Sequence, residues 1–354
     1  MVCSSPALSR MLLAGLDEQL YLGAAAAVVS SPRGVIWSLT CGSTSPDEAW
    51  PVDAGTLWDL ASLTKPMATA ASVLLLASEG AFHLGEELRT HLTGAGESLS
   101  GITIRHCLTH TSGLPAWKRL YGRGDSPDAI LDRVRHSERE RPVGGGYAYS
   151  DLGYILLGDL VRQTSGFSLE EFAATRIFSP LRMEDTGYRP VVAESRIAPT
   201  RCPDRDRLLR GEVHDGNCDA LGGVAGHAGL FSSLNDVVRF AEMVLGGGRL
   251  GSVRVLPELV VRAMGRNHNP PGMNGHGLGW FCPPGGFYHG ADFFPPDGYG
   301  HTGFTGTSIL FCPSAGVAVV LLTNRVYWEQ DGARFNRFRR RFHNTVAAAI
   351  EGLA

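Results

Sequence analysis

Apolar residues recur at helical spacing from Ser5 to Tyr21, and two apolar, partly β-branched runs follow at Gly23–Val29 and Gly34–Thr40, split by Ser31-Pro32-Arg33. This pattern predicts a helix and then a β-hairpin. The other end of the chain mirrors it: strand-like runs at Gly275–Cys282, Thr305–Cys312 and Gly316–Thr323 lead into a helical pattern from about Asp331 to Ile350. Antiparallel strands joined by short turns at both chain ends are expected to make one sheet, covered by the terminal helices. Between them helical periods dominate, at Ala129–Arg135, Gly153–Thr164, Leu169–Ile177 and Leu234–Leu245, with Ser233 or Asn235 available to cap the last. A chain of 354 residues also exceeds the ~250–300 at which single cores stop growing. The predicted fold is α/β, of the α+β kind: an antiparallel sheet domain (residues 1–80 and 256–354) flanked by the N- and C-terminal helices, with a mainly helical domain (81–255) inserted.

Composition narrows the function. A net charge of -3 with scattered arginines argues against nucleic acid as a partner, and the Arg334–Phe342 stretch, RFNRFRRRF, reads as the solvated face of the last helix. Asp17 and Glu18 interrupt the first apolar stretch where a secretory signal would continue, and no apolar run approaches the ~20 residues that span a bilayer. A cytoplasmic protein without a membrane span is expected. Seven widely spaced cysteines without a CxxC pair suit buried thiols better than disulfides or a structural zinc site.

Only two lysines, Lys65 and Lys118, stand among the many arginines. Ser62 precedes a helical pattern that ends near Gly80, and Pro66 is tolerated only in the first turn of that helix. Residues i and i+3 share a helix face, so the Lys65 amine falls beside the Ser62 hydroxyl, while the helix start offers N–H groups to a developing oxyanion. A neutral amine there could take the serine proton; arginine, which stays protonated, could not. Alone, Ser-x-x-Lys is a weak motif that an N-cap serine and a surface lysine would also produce.

Two further motifs strengthen it: Tyr149-Ser150-Asp151, and His301-Thr302-Gly303 within GHTGFTGTSI. With Ser62-Leu63-Thr64-Lys65 they make the chain resemble the serine β-lactamase and penicillin-binding-protein superfamily, in the branch holding class C β-lactamases, DD-carboxypeptidases, D-aminopeptidases and β-lactamase-like esterases. The stretches Thr103–Pro115 and Gly222–Ser232 look like the same family, so the resemblance runs from about Gly23 to Asn324. It implies acyl transfer through a serine ester, without cofactor or metal. Ser62 would attack a carbonyl, Lys65 and Tyr149 would share the acid and base work, and the N–H groups of Ser62 and Phe304 would form the oxyanion hole. Asp151, His301, Thr302 and Gly303 would contact the substrate.

Two departures bear on substrate. Where the family has Tyr-x-Asn and often Lys-Thr-Gly, this chain has Asp151 and His301. A substrate carboxylate there loses a permanent cation and meets a negative side chain, which disfavours penicillins and D-Ala-D-Ala termini. The expected function is therefore a serine hydrolase of carboxylic esters or small amides. A β-lactamase, a DD-carboxypeptidase or D-aminopeptidase, and a β-lactam sensor that acylates without turnover are the alternatives.

Other motifs carry less. His106 and His110 stand four apart, but Cys107 occupies the place of a zincin glutamate, so structural hydrogen bonds are expected of both. For His214, Asp215 and His227 loop packing is preferred over an active-site role. GGVAGHAG lacks the lysine of a phosphate loop, and no Gly-x-Ser-x-Gly is present.

Overall fold

The computed structural model describes residues 5–122, 124–202, 205–285, 290–328 and 332–353. Helix α1 (Pro6–Asp17) is followed by strands β1 (Gly23–Ser30) and β2 (Gly34–Gly42). The chain then leaves the sheet, runs through helices that include α2 (Ala71–Ser78), α3 (Asp151–Ser165) and α4 (Leu234–Leu245), and returns through β3 (Tyr299–Thr302), β4 (Ser308–Cys312) and β5 (Val317–Thr323) to helix α5 (Gly332–Leu353). The five strands form one antiparallel sheet in the order β3-β4-β5-β1-β2.

β1 explains why its sequence, GAAAAVVS, alternates no polar residues. Successive side chains of a strand point to opposite faces. Ala24, Ala26 and Val28 face a core shared with Leu8, Leu12, Phe335 and Phe342 of the terminal helices. Ala25, Ala27 and Val29 face the larger core, which runs through Phe240 and Leu63 into the helical region. Both faces are dry, so both sets are apolar.

Three expectations need correction. Gly275–Cys282 is not a strand: single bridges join His276 to Phe281 and Phe281 to Gly300, and the Gly277 N–H donates to the Trp280 carbonyl at 2.7 Å. Glycines at 275, 277 and 279 leave one side of the run without side chains, and Gly279 turns to φ 96°. β3 takes the edge position instead. Helix α4, expected within the helical insertion, packs on β1 and β5. Leu169–Ile177 is helical as expected, an α-turn, Leu169–Ala173, running on into a wider π-turn, Ala174–Phe178. Finally, Arg337, Arg340 and Arg341 are exposed as a solvated face requires, but Arg339 is buried and its Nη2 donates to the Thr307 carbonyl at 3.2 Å.

The six described cysteines are free; Cys3 lies outside the described residues. No helix among the described residues is long and apolar enough to cross a membrane.

Candidate active site

The turn that carries Ser62 is braced from beneath. The buried Asp59 carboxylate accepts the Ala61 N–H at 2.8 Å and the His214 N–H at 2.7 Å. Burial pushes its carboxyl up to about 6, against the pull of these N–H donors. Ala61 is held at φ 47°, a left-handed conformation that costs a non-glycine residue roughly 1–2 kcal/mol. The helical run then starts as a 3₁₀ turn (Ala61–Leu63), widens into a π-turn (Lys65–Ala70) and continues as α2. Its start near Ser62, with Pro66 early in the run, is the placement the sequence predicts.

Lys65 is fully buried and its Nζ meets three acceptors: Ser62 Oγ at 2.9 Å, the His227 carbonyl at 3.1 Å and Asp151 Oδ1 at 2.7 Å. The first two contacts are hydrogen bonds and the third is an ion pair. Nζ also lies 4.8 Å from the Tyr149 ring centroid. The Tyr149 phenol hydrogen-bonds Ser62, yet burial first and the Asp151 charge second push its titration well above 10, so it is neutral at neutral pH.

Local structure explains how Tyr149 and Asp151 reach the same lysine. Between them Ser150 caps α3, its Oγ accepting the Gly153 N–H at 3.2 Å and donating to the Pro115 carbonyl at 2.7 Å. As an N-cap, Ser150 has extended backbone (φ -112°, ψ 118°), and residues on either side of an extended position point the same way. The Ser150 N–H donates to His110 Nδ1 at 2.9 Å, and His106 Nδ1 accepts the Thr103 N–H at 3.1 Å, so both histidines of HCLTH make structural hydrogen bonds.

The loop Gly222–Ser232 brings His227. Gly226 lies so close to α3 that a Cβ on it would stand 1.9 Å from the Tyr154 carbonyl oxygen, and its own carbonyl accepts the Thr69 hydroxyl at 2.7 Å. This contact sets the His227 carbonyl on Lys65. The His227 ring turns the other way, with Nε2 2.8 Å from Asp215 Oδ1. Burial works against the Asp215 charge, but His227, the Cys218 N–H and Lys65 outweigh it and hold that carboxyl well below the usual carboxylate range.

Ser62, Tyr149, Asp151, Asp215, His227 and Phe304 line one cavity of about 740 Å³. His214 lines it too, so the preferred loop-packing reading of His214, Asp215 and His227 is corrected: all three are cavity wall. A cavity of about 790 Å³ beside helix Glu258–Met264 contains none of the motif residues.

The residues assigned to substrate contact are placed differently. Asp151 lines the cavity, but its Oδ1 is spent on Lys65. His301 does not line it; the ring is buried, stacks on Phe281 at 4.2 Å and sets Nδ1 3.0 Å from the Thr302 carbonyl. Burial first, and then the Lys65 charge, push its titration well below 6.5, so His301 is neutral. Thr302 is half-buried, and Gly303 has no room for a Cβ, which would meet Thr307 Oγ1 at 2.1 Å and the Leu60 carbonyl oxygen at 2.4 Å. Phe304 is 60% exposed, at the same cavity as Ser62. Asp151, Asp215 and His227 bring three ligand-type atoms within 4.8 Å of one another, but the Lys65 ammonium already occupies the position of a cation on Asp151.

Sequence reasoning missed Asp59, and it named Asp215 and His227 without pairing them, since no motif spacing links these residues.

A Ser-x-x-Lys at the start of a helix, its lysine buried and faced by Tyr149, defines a class, and the profile of the Beta-lactamase family matches residues 8–343: the chain belongs to that family. Among its relatives, the protein named "Putative D-alanyl-D-alanine carboxypeptidase" of Escherichia coli O157:H7 is 31% identical over 316 residues, covering 78% of this chain and 71% of that one. The protein of the same name from Escherichia coli K12 is 29% identical over 321 residues, covering 80% and 72%. Two solved structures share the fold: the octameric penicillin-binding protein homologue from Pyrococcus abyssi (TM-score 0.75, 20% identity, 97% of this chain and 76% of that one) and EstCE1, a hydrolase with promiscuous acyltransferase activity (TM-score 0.74, 19% identity, 96% and 98%).

Proposed function

We propose that the protein is a serine hydrolase that forms an acyl-enzyme through Ser62 and acts on carboxylic esters or small amides. The observation that carries this reading is the Lys65 Nζ, which stands 2.9 Å from Ser62 Oγ and 2.7 Å from Asp151.

Tyr149 is not a ready base in the resting site, because its phenol holds its proton, and Lys65 is paired with Asp151. Transfer of one Lys65 proton to Asp151 leaves a neutral amine facing the serine. Ser62 Oγ then attacks the carbonyl, its proton passes to Lys65, and the oxyanion meets the N–H groups of Ser62 and Phe304. The proton held on Lys65, or that of Tyr149, goes to the leaving group. Water repeats the sequence on the ester and frees Ser62. In this scheme Asp151 is the proton acceptor behind the lysine rather than a substrate contact.

The test is turnover of a short-chain p-nitrophenyl ester and of a chromogenic cephalosporin, side by side, with mass analysis of the Ser62 peptide during turnover. An acyl adduct on Ser62 with ester release supports the reading; ester release without any adduct, at every quench time, counts against it. Asp151→Asn is expected to lower ester kcat by about 10²-fold or more, the usual contribution of a general acid or base, while the fold and KM change little. Unaltered kcat in this variant would remove Asp151 from the proton path.

A second reading, carboxypeptidase action, is favoured by the names of the relatives. It requires a cation for the substrate carboxylate that His301 does not supply.

A further inference from the structure

The cavity holds such a cation on a wall that none of the motifs reaches. Arg205 lines it together with Ser62, and the Arg205 side chain is only 16% exposed. Among the described residues, its Nη1 and Nη2 are both shielded from water and have no hydrogen-bond partner. Asp219 Oδ2 stands 3.4 Å from Nη2, close enough to offset charge but without a hydrogen bond. Leaving a buried guanidinium with two unsatisfied nitrogens is costly, and such groups in native proteins are ordinarily satisfied by a ligand, an ion or ordered water.

A second guanidinium lines the same cavity. Arg119 lies over the Tyr121 ring at 4.7 Å and makes no ion pair among the described residues. Its backbone is fixed to the 215–219 segment by the buried Asn217 side chain, whose Oδ1 accepts the Leu120 N–H at 3.0 Å and whose Nδ2 donates to the Lys118 carbonyl at 2.9 Å. The carboxylates on this wall are largely engaged: Asp215 by His227 and the Cys218 N–H, and Asp219 by its approach to Arg205.

We propose that Arg205, assisted by Arg119, forms an oxyanion-binding subsite inside the active-site cavity, so that the preferred substrate is an ester or amide bearing a separate carboxylate. The proposal rests on the Ser62 reading for the reaction, but the subsite itself does not. The planar fork of a guanidinium matches a carboxylate with two parallel hydrogen bonds, and a turn of the Arg205 side chain from Asp219 into the cavity it lines presents that fork. Loss of a cation at position 301 therefore does not exclude anionic substrates; it moves their recognition to another wall.

The experiment compares a neutral p-nitrophenyl acetate with mono-p-nitrophenyl glutarate, in wild type, Arg205→Gln and Arg205→Lys, and measures glutarate binding by calorimetry in the same three proteins. The ratio of kcat/KM for the glutarate ester to that for the acetate is expected to fall by about 10- to 100-fold in Arg205→Gln, mainly through KM, as loss of a charge-assisted hydrogen bond predicts. Arg205→Lys should keep part of the preference, and glutarate affinity should fall in parallel. An unchanged ratio, or an equal loss on both esters, overturns the subsite, because a merely structural arginine would not distinguish them. If wild type turns over neither ester, the hydrolase reading fails, and glutarate binding alone then decides the subsite: weaker binding in Arg205→Gln upholds it and equal binding overturns it. Should Arg205→Gln not fold, the Arg205→Lys comparison gives the same decision.

Discussion

Ser62→Ala is expected to lower ester kcat by about 10⁴-fold or more, the scale on which serine hydrolases lose activity when the nucleophile is removed. The Lys65 amine, the Asp151 carboxylate and the oxyanion donors all survive the substitution, so what disappears is the covalent step alone. Ser62 is only half-buried, and its loss removes one of three acceptors from Lys65. The fold should therefore persist, with circular dichroism and melting temperature close to wild type. Lys65→Arg should be nearly as inactive: it retains a positive charge beside Asp151 but cannot give up a proton, and its fork does not fit a site shaped for a point charge. A fall of less than tenfold in Ser62→Ala, with purified protein and stable structure, would assign the activity to another group in the cavity. The paired result separates nucleophile from electrostatics, because only Lys65→Arg preserves the serine while removing a titratable amine.

Much of this site is readable from short-range patterns. Ser62 and Lys65 meet because helical geometry alone brings i and i+3 together, and Tyr149 and Asp151 converge because the N-cap between them is extended. The hairpin Gly23–Gly42 and strand Val317–Thr323 follow from continuous apolar runs bounded by turn residues. What cannot be read is anything that depends on where one segment lands on another. The pairing of Asp151 with Lys65 Nζ at 2.7 Å is one such contact, a distance no spacing encodes. Asp215 and His227 look like loop residues until Gly226 docks against Tyr154 and turns that loop into a wall. Arg205 and Arg339 are ordinary arginines in the sequence; burial sets Arg339 apart from Arg337, Arg340 and Arg341, and the unbonded terminal nitrogens set Arg205 apart. The glycine-rich Gly275–Cys282 run failed as a strand for a local reason: its apolar content suggested extension while its alternating glycines favoured a turn.

Acid is expected to unfold this protein in a narrow window below pH 6.5, and the cause lies behind Tyr149. His110, His276 and His301 are buried together, with His110 and His276 ring centroids 4.7 Å apart and His110 4.4 Å from Tyr149. Burial is the leading reason each stays neutral. His110 is pushed well below 6.5, with His276, Lys65 and His301 adding to burial, and His301 likewise, with Lys65 and His276 adding. Burial, with His268 adding, takes His276 down to about 3. In the unfolded chain all three would take up protons near 6.5. The unfolded state thus binds more protons than the folded one below that value, so folding stability rises with pH there; it is fully present above about 6.5 and is lost as pH falls toward the folded values. Each histidine that stays neutral in the fold contributes a slope that approaches about 1.4 kcal/mol per pH unit below 6.5, so the three together remove on the order of several kcal/mol as the pH falls. That is comparable to the whole stability of a typical domain, about 5–15 kcal/mol. Urea denaturation at pH 8, 6.5, 5.5 and 5 measures it directly, with a midpoint expected to hold steady between pH 8 and 7 and to drop steeply below 6.5. His276→Phe removes one titrating group and should reduce the slope by about a third, at some loss of the contact between His276 Nδ1 and the Tyr147 hydroxyl at 3.3 Å. A midpoint that stays level from pH 8 to 5 would mean that the three rings accept protons within the fold. The cluster behind Tyr149 would then have to be charged, placing cations beside the phenol that the hydrolytic scheme requires to be neutral.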